Sequence, residues 1–305
     1  MTRRLLLLAL CVVAMPASAR CMTAIEIARR ANDAGRHVSY RGVKNAFVLV
    51  NKAPYNSTIK VVHTAPDMTR KEYFSPAGLA GTVVIQSGPD IWKYVARERC
   101  WEKVQSAEVG PADVKRESAF GNYVVKLVGS DRIAGRAAYV LKATPKGNAE
   151  PRRTLWVDKS CYLVLKTRAE TPEGTLLSSC GYTSIAVNPG DISPKVFGVT
   201  AKVKCVAMPT RVNFRVQKPS YLPRGYKMVG LTKTNASGHP CAHLQFSNGV
   251  NSISLFEREC CEATDAPRVP ESFTSIVTWA QDGMLLTLIG ETSRAELKKV
   301  ADSTR

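Results

Sequence analysis

Histidine is scarce in this chain. There are four in 305 residues, His37, His63, His239 and His243, and none sits in a nucleophile motif beside a Ser or Cys. A nucleophile–base–acid hydrolase therefore has little to work with. No glycine-rich loop follows a strand run, which removes the phosphate cradle of nucleotide-binding enzymes. Paired-carboxylate motifs are missing too, since Asp131 and Asp158 stand isolated at strand edges. The nearest approach to a metal set is His239-Pro240-Cys241-Ala242-His243 with Cys260 and Cys261. Its spacing is not that of a zinc finger, and Pro240 breaks the helix that would bring the two histidines together. In an oxidising compartment, pairing of Cys241 with Cys260 or Cys261 is the simpler use. No catalytic residue, cofactor or metal is expected, so the chain reads as a binder rather than an enzyme.

Acidic residues are also in short supply, 25 against 43 Lys and Arg, for a formal charge of +18. That excess suits an acidic partner such as a lipid headgroup, a lipopolysaccharide phosphate or an acidic protein segment; a generally basic, solubilising surface is the plainer reading. Dense Lys/Arg runs interleaved with aromatics are absent, which argues against nucleic acid. Long apolar runs are absent except at the N-terminus. There Arg3 and Arg4 precede the apolar stretch Leu5–Met15, and Ala17-Ser18-Ala19 supplies small residues for cleavage. Residues 1–19 are read as a secretory signal peptide. Cys21 raises the rival of a lipoprotein signal, but Arg20 occupies the position where a small residue precedes a lipidated cysteine. The expectation is a periplasmic protein of 286 residues and charge +16, Arg3 and Arg4 having left with the signal.

Eight of the nine cysteines stay with the mature chain, and an even number in an exported protein points to disulfides. Cys161 and Cys180 flank the turn signal Glu170-Thr171-Pro172-Glu173-Gly174 at similar distances. On a hairpin they would face each other, and that bridge is expected. The pairing of Cys21, Cys100, Cys205, Cys241, Cys260 and Cys261 is left open.

Residues 22–35 read as a short amphipathic helix with Ile25, Ala28, Ala31 and Ile27 toward one face. From Tyr40 to Val187 the pattern becomes short β-branched and aromatic runs with turn residues between them, the signature of an antiparallel sandwich or barrel. Residues 188–218 are turn-rich and read as a linker, with Val199–Met208 open between strand and helix. From Pro219 a second unit of strands begins. It includes the hairpin signal Asp282-Gly283 and a closing helix with a Ser293/Glu296 capping box and Leu297 and Val300 inward. The fold class is mainly β (α+β): an antiparallel half-barrel with helices at 20–187, a linker at 188–218, and a smaller antiparallel sheet with one helix at 219–305. A long sheet that curls can shelter an apolar cavity. Val83, Ile85, Val124, Leu127, Tyr139, Leu141, Leu163 and Leu165 are its candidate lining, with ordinary core packing as the alternative role. An acyl chain is the natural occupant.

Asp131-Arg132-Ile133-Ala134-Gly135-Arg136, then Leu155-Trp156-Val157-Asp158 and Leu163-Val164-Leu165-Lys166, carry a resemblance. They are similar to motifs of the sigma-E factor regulatory proteins of the MucB/RseB family. Leu222-Pro223-Arg224-Gly225-Tyr226 and Phe246-Ser247-Asn248-Gly249-Val250 resemble that family's C-terminal domain. The resemblance singles out Asp131, Arg132, Gly135, Arg136, Trp156 and Asp158 as family residues. It implies a LolA-like half-barrel, similar to lipoprotein carriers, ahead of a smaller domain. It also implies a non-enzymatic envelope-stress regulator that binds the periplasmic domain of a membrane anti-sigma factor and senses lipid, lipopolysaccharide or lipoprotein acyl chains. A lipoprotein or lipid carrier without a sigma-factor link is the alternative, and whether the protein forms a homo-oligomer is left open. Eight mature cysteines, and Ser160-Cys161-Tyr162 where a Thr-Gly turn is usual, depart from the family pattern.

Overall fold

The computed structural model describes residues 22–50, 53–88, 90–96, 99–106, 120–147, 151–199, 212–236, 239–248, 250–260 and 275–305. The expected signal peptide, Cys21, Cys205, Cys261 and most of Val199–Met208 lie outside these residues. A helix, α1 (Ala24–Asp33), is followed by eleven strands: β1 (Tyr40–Val50), β2 (Ala53–Thr64), β3 (Met68–Tyr73), β4 (Val83–Ser87), β5 (Asp90–Val95), β6 (Cys100–Ser106), β7 (Tyr123–Ile133), β8 (Arg136–Pro145), β9 (Arg152–Asp158), β10 (Val164–Glu170) and β11 (Leu176–Val187). They form one antiparallel half-barrel sheet in the order β6-β5-β4-β3-β2-β1-β11-β10-β9-β8-β7. Two meanders, β1–β6 and β7–β11, are thus joined along the β1/β11 pairing, Tyr40 opposite Val187.

Directly paired residues share a face of a sheet, and neighbours along a strand alternate. The row Tyr40, His63, Thr69 lies on the α1 side, where His63 Nε2 meets the Gly35 carbonyl oxygen at 2.6 Å. The adjacent row, Arg41, Val62, Arg70, Ile85 and Trp92, lies on the outer face. Each face is covered over a different half of the sheet. On the inner face α1 packs over β7–β10, burying Ile27, Ala28, Leu141 and Val157. On the outer face a 3-10 turn, Pro194–Phe197, packs Phe197 against Val83, Ile85 and Trp101. The first part of the expected linker is therefore docked on the sheet, and Arg70 Nη1 donates to the Val196 carbonyl at 3.3 Å.

The second sheet has five strands: β12 (Lys227–Ala236), β13 (His239–Ser247), β14 (Ser252–Glu259), β15 (Ser275–Gln281) and β16 (Met284–Gly290), ordered β12-β13-β14-β16-β15. Asp282 and Gly283 both take positive φ, 51° and 73°, as a two-residue hairpin of that twist demands. One face packs on α2 (Arg294–Asp302), burying Leu244, Ile253, Leu255, Leu286, Leu288, Leu297 and Val300 completely. Ser293 caps α2 by accepting the Glu296 N–H at 3.2 Å. The Glu296 carboxylate does not complete the expected capping box. It accepts from Tyr221 Oη and Lys299 Nζ, each at 2.6 Å.

The hairpin register overturns the Cys161–Cys180 bridge. Thr167 faces Cys180 and Lys166 faces Gly181, so Cys161, five residues beyond Lys166, lies well along the sheet from Cys180. Both are free thiols. The turn forms where the signal stands: Thr171 N–H donates to the Thr175 carbonyl at 2.9 Å and Thr175 N–H to Thr171 Oγ1 at 3.2 Å, closing the hairpin about Pro172–Gly174. The physical reason is spacing, because Cys161 lies nine residues before Glu170 and Cys180 six after Gly174, so pairing about that turn sets Thr167 rather than Cys161 opposite Cys180.

A cavity beneath the first helix and its contact with the second sheet

The start of α1 is set by a capping box. Thr23 Oγ1 accepts the Glu26 N–H at 3.3 Å, and Glu26 Oε2 accepts the Thr23 N–H at 2.7 Å, satisfying donors that the first turn leaves free. The face turned to the sheet is Ala24, Ile27, Ala28 and Ala31, a helical i, i+3, i+4, i+7 stripe. Ile25, expected on that face, is not in the packed cluster. Its step of about 100° from a neighbour carries it off the stripe.

Three of the four stripe residues are alanines, too small to fill the space above the sheet. A cavity of about 270 Å³ results, lined by Ala28, Phe120, Leu141, Leu155, Val157 and Val164 with Ala31, Asn32, Thr167, Arg153 and Val250 at its margins. The lining is mainly apolar, with a few polar groups at the rim, the usual composition of a small-ligand site.

The eight residues expected to line a cavity divide into separate groups. Leu141 lines this one, and Tyr139 packs against the same cluster. Leu163 is buried under the end of the helical segment with Ala34 and Val38, and Leu165 is buried at 1 % exposure. Val83 and Ile85 are corrected: they lie on the outer face, against Phe197. Val124 is corrected as well, since it pairs with Thr144 on the outer face and is 45 % exposed. Leu127 shares a face with Leu141 but is 44 % exposed on the edge strand β7. Period-two alternation tells which residues share a face, not which face a helix will cover.

Sequence reasoning missed the end of the cavity formed by the second sheet. Val250 belongs to the β13–β14 loop, and Arg153 beside it is the contact point. Arg153 Nε donates to Asn251 Oδ1 at 2.7 Å, and its Nη2 pairs with the Glu291 carboxylate. Asn251 Nδ2 in turn donates to Tyr123 Oη at 2.7 Å. Asn251 and Tyr123 are almost fully buried, so their end of the network is shielded from water, while the Glu291 side chain is 39 % exposed. The loop is held in shape by Asn248 Oδ1, which accepts the Val250 and Asn251 N–H groups at 3.0 and 2.8 Å. Nothing in the local sequence around Arg153 signals a partner 98 residues away.

Farther along the inner face, Lys44 and Lys71 lie among Tyr40, Tyr73 and Tyr182. Burial, reinforced by Lys44, lowers the Lys71 pKa, and burial raises those of Tyr40, Tyr73 and Tyr182. The region is polar, partly dry and cationic.

The residues singled out by family resemblance build two turns. Asp158 is buried and pairs with Arg136 while its Oδ1 accepts the Ser160 and Cys161 N–H groups at 2.8 and 3.0 Å. These bonds hold its pKa low against burial, which acts to raise it. Asp131 accepts the Arg132 N–H at 2.7 Å and the Trp156 Nε1–H at 2.9 Å. Arg132 Nη1 reaches the Gly135 carbonyl at 3.0 Å, and Gly135 has φ 78°, a conformation that favours glycine. These residues brace the β7–β8 and β9–β10 turns. The His239–His243 run lies on β13. There His243 stacks on Phe256 at 4.1 Å, and burial lowers its pKa to about 4, so the ring is neutral.

Comparison with known proteins adds to this geometry. A family model described as the MucB/RseB N-terminal domain matches residues 23–210. The sigma factor AlgU regulatory protein MucB of Pseudomonas aeruginosa is 25% identical over 194 residues, 60% of this chain and 60% of that relative. The chain thus aligns with about three fifths of that relative's length. Among solved structures, MucB in complex with MucA(peri) superposes with a TM-score of 0.66 at 20% identity, over 92% of this chain and 98% of that one. The Pseudomonas aeruginosa MucA/MucB complex gives 0.67 at 19%, over 92% and 98%. MucB crystallised by itself gives 0.67 at 20%, over 92% and 97%. At these identities the superpositions speak for the fold.

Proposed function

Because the chain belongs to the MucB/RseB family, we propose that it is a non-enzymatic regulator of the cell envelope that binds the periplasmic segment of a membrane anti-sigma factor. Family membership over residues 23–210 is the observation that carries this reading. The architecture supports it: a MucB-like fold extends over both sheets, and a related fold has been crystallised with MucA(peri). Export to the periplasm through the signal peptide at residues 1–19 belongs to the same proposal. The finer part of the reading is sensing. An acyl chain of a lipid, a lipopolysaccharide or a lipoprotein occupies the cavity beneath α1, and the small side chains of Ala28 and Ala31 leave the room for it.

A second reading, a lipid or lipoprotein carrier with no sigma-factor link, draws on that same apolar cavity. One pair of measurements separates the two. The full mature chain is mixed with the periplasmic segment of a single-span anti-sigma factor from the same genome and followed by size exclusion. Native mass spectrometry then reads any acyl species bound to the chain. A stable complex supports the regulator. Bound acyl species together with no complex sinks it in favour of the carrier. Ala31→Leu narrows the cavity and is expected to weaken acyl binding while leaving the anti-sigma complex intact.

A further inference from the structure

Among the described residues, no element packs on the outer face of the large sheet over β7–β10, on the side opposite α1. Register places Lys126 directly opposite Lys142, Lys142 opposite Thr154, and Thr154 opposite Arg168. The same face carries Arg152 and Lys166, whose partners across the strands are Glu170 and Trp156. Lys126, Lys142 and Arg168 are exposed. Only Arg168 among these cations has a carboxylate in the ion pairs described, Glu170 at 2.5 Å. Asp131 and, in register with it through Ala138, Asp158 also lie on this face; Asp131 accepts the Trp156 indole N–H at 2.9 Å and is drawn to Lys166, and Asp158 is paired with Arg136.

Like charges directly opposite one another on neighbouring strands are destabilising. Lys126 facing Lys142 on an open sheet is therefore a cost to the isolated protein that an anionic partner would remove. The apolar groups point to the kind of partner. Val124 is 45 % exposed on this face, and Val128, at the β7 bulge, is 54 % exposed. Trp156 lies beneath Lys166, whose Nζ is 4.7 Å from the ring centroid. Lysine stems, a tryptophan and exposed valines among basic heads are the composition of an interfacial surface, where apolar tips enter the headgroup layer and cations stay in it. The charges follow strand spacing, about 5 Å across and 7 Å along. They form a spread of positive charge rather than a cleft shaped for one acidic segment.

We infer that the outer face of β7–β10 docks on an anionic phospholipid surface, leaving α1, the cavity and the Arg153 contact turned away from the bilayer. The inference is independent of the anti-sigma reading, because it depends on this face alone.

Co-sedimentation of the full mature chain with vesicles tests it. Vesicles containing phosphatidylglycerol are expected to bind the protein, phosphatidylcholine vesicles are not, and added salt weakens the binding. Each of Lys126→Gln, Lys142→Gln and Lys166→Gln is expected to lower the partition coefficient about fivefold, with the melting temperature not lowered, and for Lys126 and Lys142 slightly raised as the like-charge pair is removed. Val124→Ser lowers it further. Lys60→Gln with Lys195→Gln, on the part of the outer face beside Pro194–Phe197, leaves it unchanged. Equal loss in that control pair would mean general basic charge and overturn the assignment. So would binding to phosphatidylcholine alone, or no vesicle binding. Binding to polyglutamate but not to vesicles, lost with the same three lysines, would reassign the face to an acidic protein.

Discussion

The two sheets of this protein solve the same packing problem differently. The second sheet presents Leu244, Ile253, Leu255, Leu286 and Leu288 to α2, which answers with Leu297 and Val300, and all seven are fully buried. Among the described residues, twelve buried ones make one continuous core there, whereas the eleven-stranded sheet has clusters of four, four and three. Its helix brings alanines to the contact and leaves a cavity. The contrast teaches where stability and where adaptability reside: the smaller sheet is a filled unit, and the larger one keeps room on one face and charge on the other.

The largest test of that contrast is Leu286→Ala. Truncating a fully enclosed leucine in a filled core is expected to cost about 3–4 kcal/mol, read as a lowered urea midpoint. A loss below about 1 kcal/mol would mean that the second core relaxes as easily as the cavity region and would erase the distinction.

The next effect comes from the one carboxyl inside that filled core. Glu257 is fully buried. One of its oxygens accepts the Gln217 N–H at 2.9 Å, and the other has no partner. Burial pushes its pKa up to about 7 from the ordinary 4.5. The folded protein then keeps a proton that the unfolded chain has already released. This stabilisation is complete below about 4.5, declines by about 1.4 kcal/mol per pH unit above it, and is gone above about 7. Glu257→Gln is expected to flatten that slope in denaturation midpoints taken across the interval. A slope unchanged by the substitution would place the pH dependence elsewhere.

The smallest effect is at the joint between the two regions. Arg153→Ala removes the bonds to Asn251 and Glu291 and is expected to cost about 1–2 kcal/mol, with Asn251 keeping Tyr123 and Glu291 partly reaching water. Hydrogen exchange should show the change concentrated at residues 248–251 and at Tyr123. Exchange that rises uniformly over the second sheet would instead make Arg153 part of its global stability.

Much of the architecture was legible along the chain. Val-, Ile- and Tyr-rich runs such as AFVLV, STIKVVH and AAYVLKA became β1, β2 and β8, and SISLFERE and MLLTLIG became β14 and β16. Two strands gave little sign. CWEKVQS, now β6, mixes charge with aromatics, and β11 (Leu176–Val187) carries Ser, Gly and Cys through its middle. Pairing on a sheet overrides such weak local preference. The motif residues Arg136 and Asp158 were visible as a resemblance, yet their bracing role needed the turn geometry. The Arg153–Asn251–Tyr123 network was not visible at all, because its members are distant in sequence and each is an ordinary polar residue in its own neighbourhood.

The sequence by itself determined a β-rich chain with a second, smaller antiparallel sheet, since alternation and turn residues are local properties. It also placed Ile27, Ala28 and Ala31 on one face of α1, although with Ile25 where Ala24 stands. Only the tertiary structure decided which face that stripe would cover, and so which of eight candidate residues border a cavity. It likewise decided that Cys161 and Cys180 stand apart, that the second sheet closes one end of the cavity, and that Lys126 and Lys142 meet across strands. The reason is the same in each case. A strand's period of two fixes sameness of face, whereas register and the placement of helices depend on contacts between segments far apart in the chain.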